Sequence, residues 1–468
     1  MSQLPEQPNS SNGWEGVGGM RIPVRSRTVI AGVTLPGFPF STFAARWLAG
    51  CCFAVLIAAP ISGDAQTGRA AWTWDQVKAK FETDNPTLKA DATNVQEMRA
   101  EEVTADLRPN PQFSLSEDGT QIAPGHGIWQ PFGGTFVVPM VSYLHERDHK
   151  RELRLQSAQE GTHIAASQHL DLERTMLFTL RAAFVQTLEA KAIVNLAHQE
   201  LDYYDHIIDI SRERFAKGDL ARIDFERIEL QRVQYESDLQ AAEVNLRTAK
   251  IQLLQFLDQR TPVDLFDVQG PFDFSDQLEP LDAYHQIALE NRPDLRAALE
   301  SIRQADTNHR LAVANGSTDP TLSGWYTWNS SNNNPNATQT LGASVSIPLR
   351  IFDRNQGEKQ RTALDIARTQ EAADATRAQV FSDVDSAWQQ VDSNLILLRP
   401  YRAKYLTEAL QVRETVTYAW QHGGASLMDF LNAQSDYRNV QMAYLQLVGA
   451  YLTAAGQLNM AVGREVIQ

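Results

Sequence analysis

Phe215-Ala-Lys-Gly218-Asp-Leu-Ala-Arg-Ile-Asp224-Phe225 and Trp420-Gln-His-Gly423-Gly424-Ala-Ser-Leu-Met-Asp429-Phe430 are two versions of one turn. An aromatic residue, a glycine and an Asp-Phe pair recur at one offset: 420 − 215, 423 − 218, 429 − 224 and 430 − 225 each equal 205. After the second turn, apolar residues follow at alternating steps of three and four: Phe430, Ala433, Tyr437, Val440, Tyr444, Leu447, Tyr451, Ala454, Leu458 and Ala461. Subtracting 205 gives Phe225, Ile228, Arg232, Tyr235, Leu239, Ala242, Leu246, Ala249, Leu253 and Phe256, all apolar except Arg232. A 3.5-residue spacing keeps one helix face against a partner, so each turn opens a long coiled-coil helix. Two copies in one register make the chain a tandem duplication.

The chain has 468 residues, enough for two or three domains, and its 43% hydrophobic content suits a folded core. A net charge of −15 argues against a nucleic-acid binder, which presents a basic face. Cys51 and Cys52 are the only cysteines and lie in an apolar run, so no structural disulfide or cysteine zinc site is expected. No Gly-rich phosphate loop, nucleophile elbow or paired-carboxylate pattern occurs.

Residues 1–65 read as a leader. Between Met20 and Arg46 stand four arginines and no acid, and an apolar run from Trp47 to Pro60 follows. Gly63-Asp64-Ala65 places small residues for cleavage before Gln66, and Met20 is an alternative start. Leu48-Ala-Gly-Cys51 fits a lipoprotein box, but the main apolar run follows Cys51 instead of preceding it. Beyond Gln66 no apolar stretch reaches the ~20 residues of a membrane helix. The chain is therefore expected to be periplasmic, secreted or an outer-membrane β-barrel.

The order of elements is also repeated. Residues 72–106 are expected to be helical, broken at Asn85-Pro86, and Asn291-Arg-Pro293 echoes that break. Strands are expected over Gln112–Ser116, Thr135–Met140, Thr321–Trp328 and Thr340–Leu349, with Pro139 and Pro348 209 apart at the strand-to-helix handovers. From about Tyr143 to Thr261 there is no proline, which predicts a hairpin turning at Gly218 whose first arm is ~105 Å long. A second long helix from about Gln356 leads to Gly423, with a kink expected at Pro400. The parts are a leader 1–65, a first repeat 66–261, a linker 262–280 and a second repeat 281–468. Four strands cannot close a barrel, whereas a trimer supplies twelve.

This layout, the handover prolines, the Gly…Asp-Phe turns, Leu107-Arg-Pro-Asn-Pro111 and Ser346-Ile-Pro-Leu-Arg-Ile-Phe-Asp-Arg-Asn-Gln-Gly357 resemble the outer-membrane efflux protein family. The TolC-like channels of its cobalt-zinc-cadmium branch are the nearest in these motifs. The resemblance covers about residues 72 to 462. It implies a mainly α protein with a small β part. Three copies would build a long α-helical barrel joined to a twelve-stranded transmembrane β-barrel. It also implies an outer-membrane address with the helices in the periplasm, a periplasmic adaptor, and an inner-membrane pump of RND type. Cargo stays open between metal ions, drugs and secreted peptides. The absence of catalytic patterns suits a channel, for which neither an enzyme activity nor a cofactor is expected.

The candidate constriction is formed by Asp224 and Asp429, each six residues after its turn glycine, since carboxylate rings select cations. Either aspartate also suits the start of its helix as a cap. Carboxylates crowded there are expected to hold protons more tightly than an isolated aspartate. The family pattern has a second aspartate one helical turn after Asp429, where this chain has Asn432. His422 lies beside Gly423, as a solvated turn residue or a metal sensor. His145-Glu146-Arg-Asp-His149 matches the zinc-protease pattern, whose histidines share a helix face with Glu146 as base. No third ligand follows at a recognised spacing, and the motif falls where a strand hands over to a helix. A coiled-coil rod without a pore is the third reading, and the strand pairs favour the channel over it.

Overall fold

In a computed structural model, residues 71–124, 127–328 and 336–467 are described. The leader, with Cys51 and the cleavage site before Gln66, lies outside the described residues. The unit from Gln66 onward contains nine α-helices and four strands among the described residues. Helices α1 (Trp74–Asp84) and α2 (Pro86–Asp106) precede strands β1 (Gln112–Asp118) and β2 (Phe136–Leu144). Helices α3 (Lys150–Lys217) and α4 (Arg222–Phe256) follow. The order then recurs as α5 (Leu281–Asn291), α6 (Pro293–Ala314), β3 (Thr321–Trp328), β4 (Gln339–Ser346), α7 (Gln356–Pro400), α8 (Leu406–Gln421) and α9 (Leu427–Val462).

The helix breaks have local causes. At the first, Asn85 Oδ1 accepts from the amides of Thr87 and Leu88 while its Nδ2 donates to the Phe256 carbonyl. Pro86 and Pro293 occupy first helical positions, where the missing N–H costs nothing. Pro400 has no N–H for the ladder, and a π-helical turn, Tyr401–Tyr405, absorbs the loss before α8 resumes. Both coiled-coil stripes face inward. No residue of either ten-member set is exposed, and Ile228, Leu253, Phe430 and Leu458 are fully buried. Arg232, the polar exception, donates from Nε to Asp205 Oδ1 on α3 at 2.5 Å, so an ion pair takes the place of an apolar contact.

The strands form one antiparallel sheet in the order β1-β2-β3-β4. Two hairpins meet through β2 and β3, which leaves β1 and β4 as edges. Every residue of β1 is exposed, including Phe113 and Leu115. Gly342 lies beneath the Trp325 indole, where a Cβ would approach Cε2 to 2.3 Å. The strand ends at the two handover prolines differ most from the sequence reading. β2 continues past Pro139 to Leu144, so this proline is inside a strand, opposite Leu115. Pairing with β3 skips Val138 and Pro139, because a proline has no donor to offer a second ladder. β4 stops at Ser346, two residues before Pro348.

Residues 262–280 are packed, not loose. Trp72 bridges in parallel to Val268, Phe266 and Val268 are buried, and Asp267 receives Lys191 Nζ at 2.6 Å and Lys250 Nζ at 3.1 Å. One aspartate thereby ties the segment to both arms of the first hairpin.

Candidate functional site

The long helices bring both turns to one end of their hairpins. Each turn is closed in the same way, by a glycine in the left-handed region: Gly218 at φ 81° and Gly423 at φ 77°. The amides of Asp219 and Gly424 reach back to the carbonyls of Arg214 and Ala419 at 2.8 and 2.7 Å. Those of Gly218 and Gly423 reach Phe215 and Trp420 at 3.0 and 3.2 Å. This doubled pattern satisfies carbonyls that a helix end leaves open. The paired aromatics stack across each turn, Phe215 on Phe225 at 5.4 Å and Trp420 on Phe430 at 4.5 Å between ring centroids.

The two turns also touch each other. Tyr204, Ile207, Ile228, Tyr235, Trp420 and Phe430 share one buried cluster. The Arg214 guanidinium lies 5.0 Å over the Trp420 ring, and its Nη1 donates to the Trp420 carbonyl at 3.3 Å.

Asp224 and Asp429 occupy the same third position of their helices, but their surroundings differ. Ser426 begins α9 as its cap: its Oγ accepts from the Asp429 amide at 3.1 Å. Asp429 Oδ2 accepts from the Ser426 hydroxyl at 2.7 Å and from the Ser426 amide at 3.1 Å. These bonds, the hydroxyl's first, hold the Asp429 carboxyl below its ordinary pKa. Within one protomer the shift is thus opposite to the one expected from crowded carboxylates. At the start of α4 the equivalent position, 426 − 205 = 221, is Ala221, and no side-chain cap is made there. Asp429 and Asn432 are both exposed, and Asp224 is half-buried. His422 stacks on Tyr418 at 4.1 Å and bonds through Nδ1 with the Tyr418 carbonyl at 2.8 Å.

A second constellation, which sequence reasoning missed, links the two hairpins above the turns. The Arg413 guanidinium on α8 lies between the rings of Tyr203 and Tyr437, at 4.5 and 3.8 Å, with Nη1 3.3 Å from Glu200 Oε1 on α3. Thr417 bonds with the Tyr203 hydroxyl at 3.2 Å and accepts from Gln434 Nε2 at 3.1 Å. Glu200 is buried, and burial raises its pKa more than Arg413 and Arg438 lower it. Burial also pushes Tyr235 up to about 12. The only sequence signal was polar residues interrupting long apolar stripes. Glu200 and Arg413 are 213 apart, not 205, so the repeat did not reveal their pairing.

The zinc-protease pattern takes a shape unlike that motif. Residues 145–149 lie between β2 and α3, not on a helix, and Asp148 and His149 have φ of 54° and 58°. Glu146 is gripped by Arg154, with Nη2 to Oε2 at 3.0 Å. No group of metal-ligating side chains of three or more occurs among the described residues.

Residues 285–464 match the model of the family described as outer membrane efflux protein. The match covers less than half of the chain. The cobalt-zinc-cadmium resistance protein CzcC of Cupriavidus metallidurans is 23% identical over 295 residues, 61% of this chain and 67% of that one. The outer membrane efflux protein BepC of Brucella suis is 23% identical over 272 residues, 56% of this chain and 58% of that one. The match therefore spans less than two thirds of BepC's length. Among solved structures, the transmembrane channel CusC superposes with a TM-score of 0.67 at 17% identity, covering 84% of this chain and 92% of the other.

Proposed function

We propose that this chain is an outer membrane efflux protein, with its sheet in the outer membrane and its long helices in the periplasm, that it is the outlet of a tripartite exporter, and that its cargo is heavy-metal cations. Three copies join β1 of one to β4 of the next, making a twelve-stranded barrel. Their duplicated hairpins close into a helical tunnel that meets a periplasmic adaptor and an RND-type pump. The observation that carries this reading is the four-stranded sheet with two open edges and exposed Phe113, Leu115, Leu341 and Val345. Such a surface needs both lipid and further strands. The similarity to CzcC, a cobalt-zinc-cadmium resistance protein, supports metal cargo over drugs or peptides. A deletion strain challenged with zinc, cobalt, cadmium and a drug panel tests it. Metal sensitivity alone is the expected result, and sensitivity only to drugs would reassign the cargo.

At the narrow end we place Asp429 and Asp224, with Asn432 lowering the charge one turn further in. In planar bilayers, Asp429→Ala is expected to raise resting conductance and weaken block by divalent cations, with Asp224→Ala doing less. Asn432→Asp is expected to strengthen the block. Unchanged selectivity and block in Asp429→Ala would leave this carboxylate as a helix cap only.

A further inference from the structure

Far from the turns, α1, α3, the C-terminal end of α9 and residues 269–271 line an open-sided cavity of about 1030 Å3. This is at the upper end of the range for small-molecule sites. Apolar side chains such as Trp74, Phe178, Leu188, Leu452 and Met460 line much of it, Asp75, Glu173 and Glu465 add carboxylates, and Arg181 enters from α3 beside three other cations. Gly456 on α9 faces this arginine, and a Cβ there would make ordinary contact with Arg181 Cγ at 3.4 Å and the Phe178 ring at 3.7 Å.

The other inner cations are already matched. Lys78 meets Glu465 at 3.2 Å, and Arg174 meets Asp171 at 2.6 Å and donates to the Met460 carbonyl. Arg464 is on the exposed rim. Arg181 has neither a hydrogen bond nor an ion pair among the described residues. Its guanidinium rests 4.6 Å over Trp74 and 5.9 Å from Phe184, and Glu465 and Asp75 act on it only through longer-range charge. Burial lowers its pKa, and the charges of Glu465 and Asp75 offset that only in part. An aromatic face attracts the charge but accepts few of five N–H donors. A carboxylate accepts two at once.

We infer that this cavity binds a single-chain anionic amphiphile, with its carboxylate on Arg181 and its alkyl chain along Phe178, Leu188 and Leu452. The inference does not depend on the identity of the cargo. The probe is diazirine-labelled dodecanoate, photolysed with the full-length protein in membranes, followed by peptide mapping. Labelling is expected on the α3 segment 177–188 and the α9 segment 452–460. Excess unlabelled dodecanoate is expected to reduce it at least five-fold, and dodecanol to leave it nearly unchanged. Arg181→Gln is expected to lower labelling about ten-fold, with Arg181→Lys recovering much of it. Absence of labelling, which is also expected if a carboxylate from a second copy fills the site, would overturn the assignment. So would equal competition by the alcohol. Labelling of these segments by a diazirine phosphatidylglycerol but not by dodecanoate would overturn the single-chain form. The competition arms need no variant, so a misfolded Arg181→Gln protein would not leave the question open.

Discussion

At the scale of single residues, Ser426 and Ala221 show how one side chain separates two otherwise matched helix starts. Ser426→Ala removes a cap and the reciprocal bonds to Asp429, and is expected to destabilise the start of α9 by about 1 kcal/mol. Hydrogen exchange at residues 427–431 measures it. The pH dependence follows from the direction of the shift. Asp429 has a lowered pKa in the folded chain, so its contribution is present above the ordinary aspartate value and is lost as pH falls through the lower folded value. Glu200 runs the other way. Its folded pKa is raised, so its contribution is complete below the ordinary glutamate value and declines as pH rises through the folded one. After correction for intrinsic rates, exchange around Tyr203 and Thr417 is expected to be slower near pH 5 than near pH 8. Glu200→Gln is expected to abolish that difference, and a difference that persists in the variant would assign it to another group.

At the scale of elements, the Arg413 constellation ties α3 to α8. Arg413→Met leaves Glu200 buried without its nearest cation, and a loss of about 3 kcal/mol is expected in thermal or chemical unfolding of the helical region. A loss below a few tenths would mean that Glu200 is simply protonated there. The long helices were legible because a 3-4 repeat and a proline-free run are local signals, and both stripes are indeed turned inward. The start of α3 was misplaced by seven residues, 150 − 143, because β2 outlasts Pro139 and the left-handed Asp148 and His149 delay the helix. The turn residues were legible as a repeated motif. The Glu200–Arg413 contact was not, because it depends on how two hairpins pack and leaves no periodic trace.

At the scale of the whole molecule, the open edges β1 and β4 lead to a direct test of the proposed trimer. The mature chain proposed above has no cysteine, so introduced pairs report alone. Leu115→Cys combined with Val345→Cys, or the same pair shifted by two residues, is expected to oxidise to a covalent trimer on denaturing gels. Only monomer across that scan would exclude β1-to-β4 joining between copies.

The ladder between β2 and β3 also governs the route by which the chain reaches its native state. Val137 pairs with Trp328, a separation of 328 − 137 = 191 residues, whereas Asp118 and Phe136 close the β1–β2 hairpin across 18. Loop-closure entropy makes the distant pairing costlier by about 2 kcal/mol, and slow to form. Until β3 and β4 arrive, the first hairpin presents a sticky strand margin rich in Val137, Val138 and Val141 to any other nascent chain. The strand margin of β2 is therefore expected to stay open for as long as it takes to make the 321 − 144 − 1 = 176 residues that separate Leu144 from Thr321.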